Sequence, residues 1–154
     1  MEDSEQTAKE QDIEDFVQFL VGKTAEEIVE IYRTMSDIDF SDQVQGKFNI
    51  AMNRAIQRDQ EFTLQVARLL IHDTNPHLRL ETFWILQPLM MFVHPEARSM
   101  VWEELLSDDD PVVFEQAYGW LADDISSSED APLASILYAA AWFKKAKARW
   151  DSSR

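Results

Sequence analysis

The positions of the prolines constrain the fold of this chain more than any other feature of its sequence. Four of the five prolines begin a segment with helical hydrophobic periodicity, and proline is favoured at the first helical position because no backbone donor is needed there. Two of their spacings are nearly equal: 35 residues separate Pro76 from Pro111, and 37 separate Pro95 from Pro132. This spacing predicts an internal repeat of two helices.

The same 35-residue shift aligns similar side chains on both sides of the prolines. The seven matched pairs are Val66 with Val101, Leu70 with Leu105, Asp73 with Asp108, Pro76 with Pro111, Leu78 with Val113, Phe83 with Tyr118, and Leu86 with Leu121. Asn75, His94 and Asp110 directly precede three of the prolines, where a side chain can cap the first helical turn. The predicted helices span 76–92, 95–106, 111–124 and 132–148.

The rest of the chain is also predicted to be helical. Three glycines in 154 residues provide little of the turn chemistry that many short strands require. An apolar stripe over 13–20 and a capping box at 24–27 predict two helices, and the periodicity of 48–70 predicts two more. We therefore expect an all-α protein of about seven to eight helices. Its predicted parts are a flexible acidic N-terminus over 1–10, a single helical domain over 11–148 and a C-terminal tail over 149–154.

The two predicted turns of the repeat have related sequences. Residues 73–79 read DTNPHLR, and residues 105–113 read LLSDDDPVV. These segments are similar to the Leu-Leu…Asp-x-x-Pro-x-Val-Arg passage between repeats of the HEAT/armadillo-like α-solenoid family, and the resemblance covers about residues 41–148. The sequence differs from the family pattern at Phe114, where the family often has Arg. The resemblance implies a short right-handed α-solenoid of HEAT-like helix pairs, with residues 11–36 as N-terminal cap helices.

Charge and composition exclude several classes of function. The chain has no cysteine, which excludes disulfides, cysteine-ligated zinc, iron–sulfur clusters and thiol nucleophiles. Twenty-nine acidic and 14 basic residues give a net charge of −15, which opposes binding to nucleic acid and favours a partner protein with a basic surface. The apolar segment 83–93 is interrupted by Gln87 and Pro88 and is too short to span a bilayer. We expect a cytoplasmic protein that binds neither nucleic acid nor a membrane directly.

The sequence contains no catalytic or metal-binding motif. Glycine occurs only at 22, 46 and 119, which excludes a glycine-rich phosphate loop, and neither G-x-S-x-G nor H-E-x-x-H is present. The three histidines lack the spacing of a zinc-binding helix. We therefore expect a protein that is not an enzyme and that needs no metal or cofactor.

Two further patterns have structural interpretations. Trp84, Trp102 and Trp120 recur every 18 residues with few basic residues among them, which predicts packing between helices instead of a platform for bases. Residues 143–154 have a net charge of +4, with five basic residues and one acidic residue. We interpret these cations as complementing the C-terminal end of a helix.

Acidic side chains in the second half of the chain are the candidate contacts to the partner. The candidates are Glu103, Glu104, Asp108, Asp109, Asp110, Asp123 and Asp124. The three at 108–110 also precede a helix, whose N-terminus their charge stabilises. Asp123 and Asp124 fall at a helix C-terminus, where negative charge is unfavourable, and a cationic partner would account for their presence there.

These observations favour a non-enzymatic acidic module that binds another protein. Our first hypothesis is an inhibitor or immunity protein that neutralises a basic partner such as a nuclease toxin. Two alternatives stay open: an export or assembly chaperone or adaptor that binds through an apolar groove, and a nucleic-acid mimic that blocks a DNA-binding protein. High salt should slow association in the first case and change groove-based binding little.

Overall fold

A computed structural model of the chain describes residues 2–38, 41–91, 94–126 and 133–154. Within these ranges the protein has eight helices and no strand, which confirms the prediction of an all-helical protein. The helices are α1 (Glu2–Val21), α2 (Ala25–Ser36), α3 (Asp42–Ile56), α4 (Gln60–Leu70), α5 (Pro76–Met91), α6 (Pro95–Arg98), α7 (Pro111–Ser126) and α8 (Leu133–Ser152). A π-helical segment, Ser99–Glu104, and a 3₁₀ turn, Leu105–Ser107, continue directly from α6.

The first helix is longer than the sequence predicted. It begins at Glu2, so residues 2–10 of the predicted acidic N-terminus are helical. Two ion pairs connect α1 to α3: Glu10 lies 3.3 Å from Arg54, and Asp12 lies 2.9 Å from Lys47. These contacts are made by polar side chains. The prediction of this helix used only its apolar residues, so it did not include them.

The last helix also extends beyond its predicted end at residue 148. It includes residues 149–152 of the predicted tail, and two of these residues have tertiary contacts. Arg149 donates a hydrogen bond to the Leu106 carbonyl at 3.1 Å, and the Trp150 ring stacks on Tyr118 with centroids 4.7 Å apart. The predicted start of this helix at Pro132 lies outside the described residues.

Tertiary contacts divide the chain into two compact units, Met1–Leu69 and Leu70–Arg154. In the N-terminal unit, α1 packs along α3. Phe48 of α3 is buried between Phe16 and Tyr32, whose ring centroids lie 5.9 and 6.1 Å from its own. The predicted capping box of α2 is present, with Thr24 and Glu27 bonded reciprocally.

In the C-terminal unit, α7 packs against α5, against the continuation of α6 and against α8. The apolar faces of these helices form the core of the unit. Fully buried side chains there include Ile85, Leu86, Val101, Leu105, Val113, Ala117, Leu121 and Ala139. Among the described residues, no helix combines the length and the apolar character needed to cross a membrane.

The 35-residue repeat is visible in helix bounds and in burial. Helices α5 and α7 both have 16 residues, and both of their ends are shifted by 35 positions. The aliphatic members of the matched pairs are all at most 2% exposed: Val66 and Val101, Leu70 and Leu105, Leu78 and Val113, Leu86 and Leu121. Equivalent positions therefore have equivalent places in the core.

The predicted N-caps are confirmed. The Asn75 side chain accepts a hydrogen bond from the His77 amide at 2.9 Å, and the Asp110 side chain accepts one from the Val112 amide at 2.8 Å. His94 caps α6 through its ring nitrogen Nδ1. These three helix starts follow from local sequence because a cap acts within one turn.

Candidate functional site

The turn between the 3₁₀ segment and α7 holds three of the seven predicted contact residues. One carboxylate oxygen of Asp108 accepts a hydrogen bond from the Asp110 amide at 2.9 Å, and Asp110 in turn caps α7. The turn before α5 has the same geometry: Asp73 accepts from the Asn75 amide at 2.9 Å, and Asn75 caps α5. Two of the three aspartates thus stabilise a turn that occurs twice in the chain.

Arg79 connects these two equivalent turns. Its Nε and one terminal nitrogen donate to the two carboxylate oxygens of Asp108, at 2.8 and 3.1 Å. Its other terminal nitrogen donates to the carbonyls of Asp73 and Thr74, at 2.8 and 3.2 Å. The hydrogen bond to Asp108 raises the pKa of Arg79 above its ordinary value. With the Arg79 and Asp108 side chains 18% and 12% exposed, this carboxylate is a structural group of the fold.

Glu103 is also held by neighbouring side chains. It accepts hydrogen bonds from the Ser99 hydroxyl at 2.9 Å and from the Tyr138 hydroxyl of α8. The Arg98 guanidinium lies over the Tyr138 ring, 4.9 Å from its centroid. Glu103 therefore joins the π-helical segment to α8.

The remaining four predicted residues have free carboxylates. No described group forms a hydrogen bond or ion pair with the carboxylate of Glu104, Asp109, Asp123 or Asp124. Glu104, Asp109 and Asp123 are exposed. Asp124 is half-buried, and this burial raises the pKa of its carboxyl. These four carboxylates are available to a partner without breaking an internal contact.

The structure separates the candidates into two groups along α7. Asp109 lies within the turn before this helix, and Glu104 ends the π-helical segment that precedes the 3₁₀ turn; we call this pair the acidic turn. Asp123 and Asp124 lie near the other end of the same helix. Thirteen residues separate Asp110 from Asp123, which corresponds to about 20 Å along a helix axis. A small contact surface on a partner could therefore bind one of these two groups but not both.

The tryptophans recurring every 18 residues meet around Phe83. The Phe83 ring stacks on Trp120 with centroids 4.0 Å apart and lies 6.3 Å from Trp102. Trp84 meets Trp120 edge to face at 5.4 Å and remains 46% exposed. The prediction that these side chains pack between helices is confirmed.

The predicted contact residues do not include Arg79. A signal for it was present, because the passage DTNPHLR ends on this arginine, as the family passage does. The local density of acidic residues does not show which cation neutralises each one.

The described residues provide no obvious place for a metal. No three His, Asp or Glu side chains among them are grouped so that they could hold an ion. Comparison of the chain with protein-family models, with curated proteins and with solved structures finds no match.

Proposed function

We propose that this protein is a non-enzymatic binding module that captures a partner with a basic surface. The proposal rests on one observation: carboxylates without an internal partner lie beside carboxylates that internal hydrogen bonds hold in place. Among the residues that the structure describes, Glu104 and Asp109 have no side-chain partner, and the turn that contains Asp109 is held by the contacts of Asp108 and Asp110. A rigid turn with two unpaired charges loses little entropy when it binds.

The net charge of −15 supports the same function. Exposed acidic groups attract a cationic partner from a distance and accelerate its association. Within this class, the specific proposal is an inhibitor or immunity protein that covers a basic active-site groove, such as that of a nuclease toxin. It would act by occupying the groove, which requires no catalytic group.

We also propose that the helix pairs stack as a short right-handed α-solenoid of the HEAT-like type. Support comes from the repeated turn, from the matching bounds of α5 and α7, and from Arg79, which binds the carboxylate one repeat further along. A stack of this kind presents successive turns along one edge. The acidic turn would then lie on an edge that is accessible to a large partner.

The experiment compares two variants of equal charge. The variant Glu104→Lys/Asp109→Lys changes the acidic turn, and Glu14→Lys/Asp15→Lys makes the same change at exposed positions of α1. Tagged wild-type protein and both variants are used to capture proteins from the native host, and the captured proteins are identified by mass spectrometry. We expect a basic protein with the wild type and the α1 variant, and its loss with the acidic-turn variant.

Salt provides the second measurement. With the captured partner purified, the association rate should fall steeply between 50 and 500 mM NaCl while the dissociation rate changes less. Equal capture by all three proteins, or a rate that salt does not change, would exclude the acidic turn as the contact.

One observation favours a chaperone or adaptor as the second candidate. Trp84, Val112 and Leu137 in the C-terminal unit are 46%, 52% and 61% exposed, and exposed apolar side chains can cover an aggregation-prone partner. This function predicts binding that survives high salt and is weakened by Trp84→Ala.

A further inference from the structure

The last helix carries cations that the binding of a basic partner does not use. Residues 143–154 have a net charge of +4, whereas the rest of the chain has −19. The helix macrodipole does not account for them all, because α8 ends at Ser152 and only Arg149 lies in its last turn. Lys145 is seven residues from that end, about two turns away, and the macrodipole acts mainly over the last turn.

The lysines of this helix are also unpaired. Among the described residues, no carboxylate forms an ion pair with Lys144, Lys145 or Lys147. Unpaired cations in a chain with twice as many acids as bases require a separate explanation. One of the three lies at a cavity.

This cavity lies between the 3₁₀ turn and α8 and has a volume of about 190 Å³. Its lining residues are Leu106, Ser107, Trp142, Lys145, Ala146 and Arg149. The Lys145 ammonium lies 4.5 Å from the centroid of the Trp142 ring. Ser107 adds a hydroxyl group that can donate a hydrogen bond. Two cations, a hydroxyl and an aromatic ring therefore surround one small space.

Arg149, which lines the cavity, is held in place by the fold. Arg149 uses one N–H for the Leu106 carbonyl and stacks on the Phe114 ring at 4.1 Å, which leaves four of its five N–H groups for other acceptors. One helical turn before Trp142 on α8, the Tyr138 hydroxyl donates to Glu103. The cavity therefore needs little reorganisation to accept a ligand.

We propose that this cavity binds a phosphate group, as inorganic phosphate or as a phosphate monoester. Lys145 would supply a point charge, Arg149 a planar pair of donors and Ser107 a neutral donor, which is a common set for phosphate. The nearest acidic residue in sequence, Asp108, has its carboxylate neutralised by Arg79, so it repels the ligand little. An aromatic group on a monoester would lie against the Trp142 ring.

The test is an NMR titration of the full-length ¹⁵N-labelled protein with inorganic phosphate, with phenyl phosphate and with acetate. Ionic strength is held constant with NaCl. We expect saturable shifts of the Trp142 indole signal and of the Ser107 and Lys145 amides with both phosphates, and weaker binding of acetate. Trp142→Phe assigns the indole signal. Tighter binding of phenyl phosphate than of inorganic phosphate would support a monoester as ligand, and equal binding would support free phosphate.

A matched pair of variants separates the cavity from general charge. Lys145→Gln should weaken phosphate binding by about tenfold, since it removes one charge-assisted hydrogen bond. Lys144→Gln makes the same change on the neighbouring position of the helix and should alter the affinity less than about twofold, since Lys144 does not line the cavity. Shifts that do not saturate, or equal losses in the two variants, would overturn the proposal.

Discussion

Replacing Asp108 tests whether the turn before α7 depends on the contact with Arg79. In Asp108→Ala, Arg79 loses both hydrogen bonds to a carboxylate and keeps only the carbonyls of Asp73 and Thr74. The Asp110 amide also loses its acceptor. Both losses occur where little solvent can replace the lost contacts, so we expect a large effect on the free energy of unfolding.

The magnitude follows from the exposure of the pair. Breaking a fully buried ion pair costs about 3 to 5 kcal/mol. The two side chains are 18% and 12% exposed, and Arg79 keeps two carbonyl acceptors, so we reduce this to about 2 kcal/mol. The lost hydrogen bond of the Asp110 amide adds about 1 kcal/mol. The expected total is about 3 kcal/mol, a large fraction of the stability of a small domain.

Urea denaturation followed by far-ultraviolet circular dichroism measures this change. Asp108→Asn separates the two contributions, because its amide oxygen can still accept from the Asp110 amide while its charge is lost, and we expect a loss of about 2 kcal/mol. Asp109→Ala is the control: this neighbouring side chain is exposed and unpaired, so the change should stay within about 0.5 kcal/mol. If Asp108→Ala were no less stable than Asp109→Ala, the structural role of the Arg79 contact would be refuted.

Three further substitutions test other parts of the C-terminal unit by the same denaturation assay. Thr82→Val should stabilise the protein by about 1 kcal/mol, because the Thr82 hydroxyl is buried without a described partner; a loss of stability would indicate a partner for it. Asn75→Ala should cost about 1 kcal/mol by removing the cap of α5, whereas Asn75→Asp, which copies the aspartate cap of α7, should be nearly neutral. Burial raises the pKa of Glu81, while nearby His77 lowers it less, so the folded state disfavours the Glu81 carboxylate. Glu81→Gln should therefore be more stable than wild type at pH 8. This advantage should shrink as the pH falls to 4.5, the ordinary pKa of a glutamate carboxyl, because the folded wild type takes up a proton above that pH; an advantage constant over this range would contradict the assignment.

The sequence predicted the features that depend on neighbouring residues. Asn75, His94 and Asp110 cap their helices as expected, since a cap needs only the amides of the next turn. The repeat was also predictable, because apolar residues at a fixed interval have to be buried in equivalent places. Burial of Leu86 and Leu121 follows directly from that interval.

The sequence did not predict which of the contact residues have free carboxylates, because a distant residue can bind a carboxylate. Glu103, Asp108 and Asp110 are held by the fold, and Glu104 and Asp109 are free, although all five lie within eight positions of one another. Asp108 is bound by an arginine 29 residues earlier in the chain. Density of charge along a sequence does not indicate which charge has found a partner in three dimensions.

The connection made by Arg79 also bears on how this chain could be lengthened by design. Arg79 belongs to one 35-residue period and its carboxylate partner to the next. A gene in which residues 73–107 occurred twice would encode, within the added segment, both a guanidinium (Arg79) for the following period and a carboxylate (Asp73) for the preceding one. Each inserted copy would form an arginine–carboxylate ion pair with the period before it and another with the period after it. The present sequence therefore already contains the contacts that a longer array would need.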